Sequence, residues 1–228
     1  RGTPSGPRQR HGLERLHEDE HLIAVLKPAG LLSVSTDRER ERTALALLRD
    51  SLSQPGRPAR LWPVHRLDRE TSGVLLFARS REVCEEVRAD WSAASKTYLA
   101  VVEGQPSPAQ GAIDQPLWED RALNVRVGSR PDAKQARTRY RTRYRTLERG
   151  RGRALLEVEL DTGRRHQIRV HLAWLGHPVI GDERYGPGGP RLGLHALRLE
   201  LPHPRSGLRL CLEAPALEAF GRLLRGTR

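Results

Sequence analysis

Short apolar or alternating segments of strand length, separated by turn-forming residues, recur along this chain of 228 residues. They predict strands at residues 21–26, 73–78, 96–104, 136–147, 154–161, 192–201 and 208–212. Helical spacing of apolar residues is rarer and predicts helices at 43–52, 81–91 and 164–175, with a short helix at the C-terminus. Because strands outnumber helices and do not alternate with them, the pattern predicts an α+β fold with a largely antiparallel sheet.

The two ends of the chain differ in composition from the rest. The opening RGTPSGPRQRHG is polar and rich in Gly, Pro and Arg, so residues 1–15 are predicted to form a flexible basic arm. The Gly- and Pro-rich segments at 53–60 and 185–191 indicate loops. A chain of this length can bury its core as one unit, and we expect a single domain over residues 16–228.

The charge balance favours a polyanionic partner. Lys and Arg number 40 against 28 Asp and Glu, a formal net charge of +12, and only Lys27, Lys96 and Lys134 are lysines. Guanidinium groups suit phosphates and base edges, so nucleic acid is the leading partner class. A generally basic surface, or codon bias in a GC-rich genome, would produce the same composition.

Cysteine usage and hydropathy indicate the cellular setting. Cys84 and Cys211 have no nearby cysteine, which argues against a disulfide framework or a zinc knuckle. No apolar run approaches the roughly 18 residues that a membrane span needs. We therefore expect a soluble cytoplasmic protein without membrane contact.

Five arginines alternate along the predicted strand 136–147: Arg137, Arg139, Arg141, Arg143 and Arg145. Strand side chains alternate between faces, so the five are predicted to form a row on one face, about 6.6 Å apart. That spacing is comparable to neighbouring phosphates, and the row is a candidate contact for a nucleic-acid backbone. A hydrated outer face is the alternative explanation.

One aspartate, Asp68, lies between Arg66 and Arg69 in the segment VHRLDRETSGVLLFA. Farther along, Arg165 and Arg169 are four residues apart, so on a helix both would project from one face. A guanidinium against Asp68 would keep the carboxylate ionised and aligned. An ordinary ion pair between two elements is the alternative on spacing alone.

HRLDRETSG closely resembles the catalytic motif of RluA-type pseudouridine synthases, which isomerise uridine in ribosomal and transfer RNA. Further segments resemble family blocks in family order: residues 16–34, 96–104, 162–186 and 191–204. The resemblance implies the pseudouridine synthase catalytic fold, with a central, bent, largely antiparallel sheet, flanking helices and a cleft across the sheet. Only about 15 residues precede the first block, so we expect no S4-type RNA-binding module in this chain.

The resemblance also implies roles for individual residues. Asp68 matches the essential aspartate, Arg169 the arginine that pairs with it, and Tyr98 the tyrosine that stacks on the target base. Arg66 matches an arginine that fills the space left by the flipped nucleotide. Arg69 and Arg165, with Arg137, Arg139 and Arg141, are further candidate RNA contacts.

These roles predict a monomeric isomerase that needs no cofactor, metal or protein partner and acts on a stem-loop of rRNA or tRNA after base flipping. A non-catalytic RNA-binding or RNA-folding protein with the same cleft is the main alternative. A metal-dependent nuclease is a weaker one, because His166 and His171 are five residues apart and HExxH spacing is missing. His65 and His195 are predicted to support the cleft by hydrogen bonding, and the Thr71 and Ser72 hydroxyls to cap the Asp68 turn.

Overall fold

The computed structural model describes residues 12–35, 42–146, 152–215 and 218–225. The predicted arm at 1–15 lies mostly outside these residues; Leu13 already packs against the core. The first half of the chain contains β1 (Arg15–Glu18), β2 (Leu22–Lys27), α1 (Ala44–Leu52), β3 (Trp62–Pro63), β4 (Ser72–Ala78), α2 (Arg81–Ala89) and β5 (Ser95–Glu103).

The second half contains β6 (Gln110–Asp114), β7 (Leu117–Glu119), β8 (Val125–Val127), β9 (Arg137–Thr146), β10 (Arg153–Leu160), α3 (Gln167–Trp174), β11 (Leu194–Pro202), β12 (Arg209–Glu213) and α4 (Glu218–Arg225). The α+β class and all seven predicted strands are confirmed. The apolar and alternating patterns did not predict β1, β3 or the three short strands β6 to β8.

Ten strands form one sheet, with β1-β2-β4-β11-β5-β10-β9-β6 as its main order, β12 beside β11 and β3 beside β4. Every pair is antiparallel except β4 with β11. The hairpin of β7 and β8 stands apart from this sheet. The predicted antiparallel pair at 136–147 and 154–161 is present as β9 and β10.

Helix boundaries follow local capping. Thr43 caps α1 by accepting a hydrogen bond from the Ala46 N–H at 3.1 Å, and Ser80 caps α2 by accepting one from the Val83 N–H at 3.2 Å. α3, in contrast, begins at Gln167, three residues later than predicted. Arg165 therefore precedes the helix, and the prediction that Arg165 and Arg169 share one helical face is wrong.

The parallel pairing of β4 with β11 depends on Gly73. Its φ is +121°, and a Cβ atom there would lie 2.2 Å from the carbonyl oxygen of Ala196. Only glycine permits both this conformation and this approach. The close approach at Gly73 therefore brings the start of β4, directly after the turn that carries Asp68, against β11 inside the sheet.

The two faces of the sheet are covered by different helices. Tyr98, Val158 and Tyr140 lie opposite one another across β5, β10 and β9, so their side chains share one face, which we call the cavity face. On that face Ile168 and Leu172 of α3 pack in the core, as their helical spacing predicted. The opposite face of β5 packs Leu99 and Val101 against α4. Among the described residues, no helix is long and apolar enough to cross a lipid bilayer.

Candidate active site

A cavity of about 880 Å³ opens on the cavity face, between the turn before β4 and the start of α3. Six of the nine predicted site residues line it: Arg66, Asp68, Arg69, Tyr98, Arg165 and Arg169. Residues far apart in sequence thus meet in one space, large enough for a nucleoside. Predicted cleft and observed cavity coincide.

The turn that carries Asp68 is held by two buried polar side chains. The Ser33 hydroxyl donates to the Leu67 carbonyl at 2.8 Å and accepts from the Leu67 N–H at 3.0 Å. The Lys27 ammonium donates to the carbonyls of Pro28, Leu31 and Arg69 at 2.9, 2.6 and 2.8 Å. These bonds fix the backbone on both sides of Asp68.

Lys27 is fully buried, and this burial lowers its pKa to about 8, against the charges of Glu70 and Asp68, which raise it. Its three carbonyl partners satisfy all three ammonium donors. The lysine is therefore a structural cation beneath the turn.

Arg169 contacts Asp68 as predicted: Nη1 lies 3.2 Å from Oδ2. The rest of its guanidinium is held by a second carboxylate, since Nε and Nη2 donate to the two oxygens of Asp182 at 2.7 and 2.8 Å. This two-bond arrangement fixes the plane of the guanidinium and directs Nη1 at Asp68. Burial opposes the charge on Arg169, but hydrogen bonds and charges of Asp182 and Asp68 raise its pKa above the ordinary value.

Asp182 is a site residue that the sequence analysis missed. Its side chain is 0% exposed, and its Oδ1 also accepts the N–H groups of Arg184 and Tyr185 at 2.9 and 3.1 Å. Burial acts to raise its pKa, but the bonds from Arg169 and the two backbone donors lower it below the ordinary value. The sequence signal that could have identified Asp182 is the GDERYG segment, in which the aspartate directly follows Gly181. In the structure this glycine has φ of +75°.

His166 and Tyr185 form a second layer beside the pair. His166 Nε2 lies 3.7 Å from Asp68 Oδ2, and its Nδ1 lies 2.8 Å from the Tyr185 hydroxyl. The phenol ring also lies 5.2 Å from the Arg169 guanidinium. Burial lowers the pKa of His166 to about 4, with Asp68 raising it and nearby arginines lowering it. The imidazole beside Asp68 is thus neutral at pH 7.

Tyr98 projects from β5 into the same cavity and packs against two core clusters. Burial raises the pKa of its phenol, and the negative charge of Asp68 raises it further. The side chain is therefore a neutral aromatic surface at physiological pH. Such a surface suits stacking on a base.

Arg165 also lines the cavity, but it does so from the segment before α3 and not from the helical face that it was predicted to share with Arg169. It instead forms an ion pair with Glu119 at the end of β7. Val125 of β8 donates its N–H to the Tyr185 hydroxyl at 3.2 Å. The β7–β8 hairpin is thus attached to the site by two polar contacts. Arg66 and Arg69 lie on the exposed rim.

The arginine row lies elsewhere. Arg139 lies opposite Glu159, which lies opposite Thr97, so these three side chains point to the face opposite Tyr98. Arg137 pairs with Asp114 and Asp161, and Arg139 with Glu159 and Asp161. The pairing of β9 with β10 slips by one residue between Leu155 and Leu156, and the side chains of Arg143 and Arg145 lie outside the described part of the structure. Arg137, Arg139 and Arg141, whose side chains the structure describes, form the arginine row.

Three further histidines have structural partners. His65 Nε2 accepts the Leu76 N–H at 3.2 Å, and its ring stacks on Trp91 at 5.3 Å. His195 Nδ1 bonds the Ser72 hydroxyl at 2.9 Å, so Ser72 contacts β11 rather than capping the Asp68 turn. His171 lies between Thr138 and the Gln115 carbonyl. Within the described ranges, no group of three His, Cys, Asp or Glu residues is arranged to hold a metal ion.

Comparisons with known proteins agree with this geometry. Residues 21–174 match the family model described as RNA pseudouridylate synthase. The chain is 35% identical to the dual-specificity RNA pseudouridine synthase RluA of Escherichia coli (strain K12), over 92% of this chain and 96% of that protein. It is 36% identical to ribosomal large subunit pseudouridine synthase D of Nitrosomonas europaea over 95% of this chain, but spans only 65% of that protein.

A solved structure shows the same fold. The human RNA pseudouridylate synthase domain containing 4 superposes with a TM-score of 0.73 and 26% identity, covering 94% of this chain and 92% of that one. The predicted fold is confirmed.

Proposed function

Because this chain belongs to the RNA pseudouridylate synthase family, we propose that it converts specific uridines of structured RNA to pseudouridine with Asp68 as the reacting carboxylate. It is an RNA pseudouridine synthase, an isomerase whose substrate is RNA. One observation carries the assignment of Asp68: its carboxylate faces a nucleoside-sized cavity and is held there by Arg169 at 3.2 Å.

The reaction defines what Asp68 has to do. The bond between C1′ and N1 breaks, the detached uracil turns, C5 bonds to C1′, and C5 then loses its proton. An ionised carboxylate serves either as nucleophile at C1′ or as base at C2′. Both routes need a negatively charged Asp68 that is held in a fixed direction, and the contact with Arg169 supplies that direction. The geometry is compatible with each route.

Asp182 and Tyr98 complete this proposal. Asp182 holds two nitrogens of Arg169, so the guanidinium keeps its orientation while the charge on Asp68 changes during the reaction. Tyr98 offers a neutral aromatic face for the ring that turns. Its raised pKa disfavours a phenolate, so we assign it stacking.

A stem-loop of rRNA or tRNA is the proposed substrate class. The E. coli relative is named as dual-specificity and the N. europaea relative as acting on the large ribosomal subunit. A stacked uridine cannot present its C1′ to Asp68, so the base is proposed to flip into the cavity. Arg66 on the rim is proposed to occupy the vacated space, with Arg69 and Arg165 contacting phosphates.

The arginine row stays a prediction as an RNA contact. RNA bound at the cavity would reach it only around the edge of the sheet, because the row lies on the opposite face. We also propose that residues 16–228 act as one catalytic domain, supported by the continuous ten-stranded sheet. The expected cytoplasmic location and monomeric state stay predictions as well.

The proposal is tested by incubating the protein with total RNA from a strain that lacks it, then mapping new pseudouridines. Wild-type protein is expected to add pseudouridine at one site or a few, and Asp68→Ala at none while still binding RNA. Chelator should have no effect. If wild-type protein binds RNA but forms no pseudouridine, the non-catalytic alternative is correct; RNA cleavage that chelator stops would indicate the nuclease.

A further inference from the structure

His166 adopts a backbone conformation that is uncommon for residues other than glycine. It has φ of 52° and ψ of 18°, in the left-handed region, at the residue before α3 begins. For a residue other than glycine this conformation is strained and occurs preferentially at functional sites. The conformation places the imidazole between the Asp68 carboxylate and the Tyr185 hydroxyl.

The hydrogen bonds around Tyr185 assign the His166 tautomer. The phenol oxygen accepts the Val125 N–H at 3.2 Å, which leaves its own proton free to be donated. On the other side of the imidazole, Nε2 lies 3.7 Å from the Asp68 carboxylate, and the negative charge there favours a proton on Nε2. The phenol proton is therefore donated to His166 Nδ1, at 2.8 Å. An imidazole that accepts at Nδ1 and is neutral carries its own proton on Nε2.

That Nε2–H lies beside the Asp68 carboxylate. Its nitrogen lies 3.7 Å from Oδ2, longer than a normal hydrogen bond, so the proton remains available to an acceptor that approaches Asp68. Arg169 is less free to follow such an acceptor, because Asp182 holds two of its nitrogens. His166 lines the same cavity as Asp68 and Tyr98.

Resting on the proposed function, we propose that His166 is a further catalytic residue, whose Nε2–H stabilises negative charge as it passes from Asp68 to the detached uracil. In the nucleophilic route a carboxylate oxygen bonds to C1′ and the C1′–N1 electron pair leaves with uracil. In the other route Asp68 takes the C2′ proton, the C2′–H electron pair forms the C1′=C2′ double bond, and the C1′–N1 electron pair leaves with uracil. Either way one negative charge moves from the carboxylate to the ring, and one donor near both positions stabilises it.

A neutral donor suits this task. Burial lowers the pKa of His166 to about 4, so the imidazole is neutral at physiological pH and carries one N–H to donate. Neutral imidazole acting as a hydrogen-bond donor to a developing anion is a known catalytic arrangement. Preorganised donors of this kind typically contribute factors of about 10² to 10³ in rate.

The test compares His166→Asn with His166→Gln, using an RNA stem-loop that the wild-type protein modifies. Asn tolerates the left-handed conformation, but its amide reaches only the Nδ1 position. The amide nitrogen of Gln reaches close to the Nε2 position. With enzyme in excess, His166→Asn is expected to lower the single-turnover rate about 10²-fold with RNA affinity within twofold of wild type, and His166→Gln to recover part of the rate.

Tyr185→Phe tests the tautomer assignment; if His166→Asn fails to fold, an unchanged single-turnover rate in Tyr185→Phe by itself contradicts that assignment. Phe cannot donate to Nδ1, so the single-turnover rate should fall by a smaller factor than in His166→Asn. The double variant should be no slower than His166→Asn, because the phenol acts through the imidazole. Independent, multiplying losses would contradict this dependence and overturn the tautomer argument.

The two proposals fail differently. Absence of pseudouridine formation by folded wild-type protein on any RNA sinks the proposed function. Pseudouridine formation by wild type together with a His166→Asn rate within threefold of it sinks the role of His166 alone. A loss confined to RNA affinity, with the single-turnover rate at saturating enzyme unchanged, would likewise overturn it.

Discussion

Two arginine-rich regions of this protein lie on opposite faces of one sheet and differ in what surrounds each guanidinium. Arg169 on the cavity face is 11% exposed, and its partners Asp182 and Asp68 are 0% and 29% exposed. Arg137 and Arg139 of the arginine row are 48% and 53% exposed, with partners in solvent as well. Arg169 therefore has a fixed direction, whereas Arg137 and Arg139 form ion pairs that are open to solvent.

The difference teaches that pairing and burial, rather than number, decide what these arginines do. Exposed ion pairs contribute little, because water and salt screen them and two long side chains lose freedom. A buried pair is costly to break, since the remaining charge stays in a poorly polarisable environment. The comparison predicts large effects of mutation on the cavity face and small effects in the arginine row.

The largest effect is expected from Asp68→Asn. It should lower the rate of pseudouridine formation by at least about 10²–10⁴-fold, because an amide is neither base nor nucleophile. RNA binding measured by filter retention should persist. Asp114→Asn, which removes a partner of Arg137 in the arginine row, is the matched control and should leave the rate unchanged. Equal losses in both variants would contradict the comparison.

The next effect concerns stability. Asp182→Asn leaves the buried Arg169 without its two-bond partner and should lower the free energy of unfolding by about 3 kcal/mol, measured by urea denaturation. It should also slow pseudouridine formation, because Nη1 loses its direction towards Asp68. Glu159→Gln, which removes a partner of Arg139, should leave the urea midpoint unchanged. A comparable midpoint shift in Glu159→Gln would mean that burial is not what matters.

A pH effect on stability is expected from His65. Burial and the charge of Lys96 lower the pKa of His65 to about 4 from its ordinary value of 6.5. The unfolded chain takes up this proton near pH 6.5 and the native chain only near pH 4, so stability falls as the pH falls between these values. From pH 7.5 to 5 the loss for this histidine is about 2 kcal/mol.

His65→Gln keeps an acceptor for the Leu76 N–H but cannot take up a proton in this range. The pH profile of its unfolding free energy should therefore be flatter than that of wild type between pH 7.5 and 5. An unchanged slope would show that His65 is protonated equally in both states.

The smallest effect compares single charges. Arg66→Gln on the cavity rim should weaken RNA binding. It should also reduce the slope of log affinity against log salt concentration by somewhat less than 1, which is the change expected when one positive charge near a phosphate is lost. Arg139→Gln in the arginine row should change that slope less, because this side chain is already paired with acids and faces away from the cavity. A slope change as large for Arg139 as for Arg66 would instead support the row as an RNA contact.

Much of the fold followed from local patterns. Apolar runs predicted β2, β4 and β5, and helical spacing of apolar residues predicted α1 and α2 within two residues. The motif around Asp68 and the arginine at 169 led to the observed pair. The segment 105–135 was not predicted, because its strands are three to five residues long and carry little periodicity.

Other errors arose where distant residues compete with local preference. Arg165 precedes the helix because the chain at His166 turns into the left-handed region. Asp182 was not connected with Arg169 from the sequence, and only its burial against that side chain distinguishes it. Ser72 bonds to His195 on β11 rather than to its own turn.

The sequence alone determined the elements and their chemistry: which segments form strands and helices, that arginine supplies the positive charge, and that one aspartate lies among arginines. These properties depend on neighbouring side chains and on side-chain type. Tertiary structure decided which charges are buried together and which face each strand presents to the cavity. Those outcomes depend on contacts between residues far apart in the sequence, 101 positions in the case of Asp68 and Arg169, which no local pattern records.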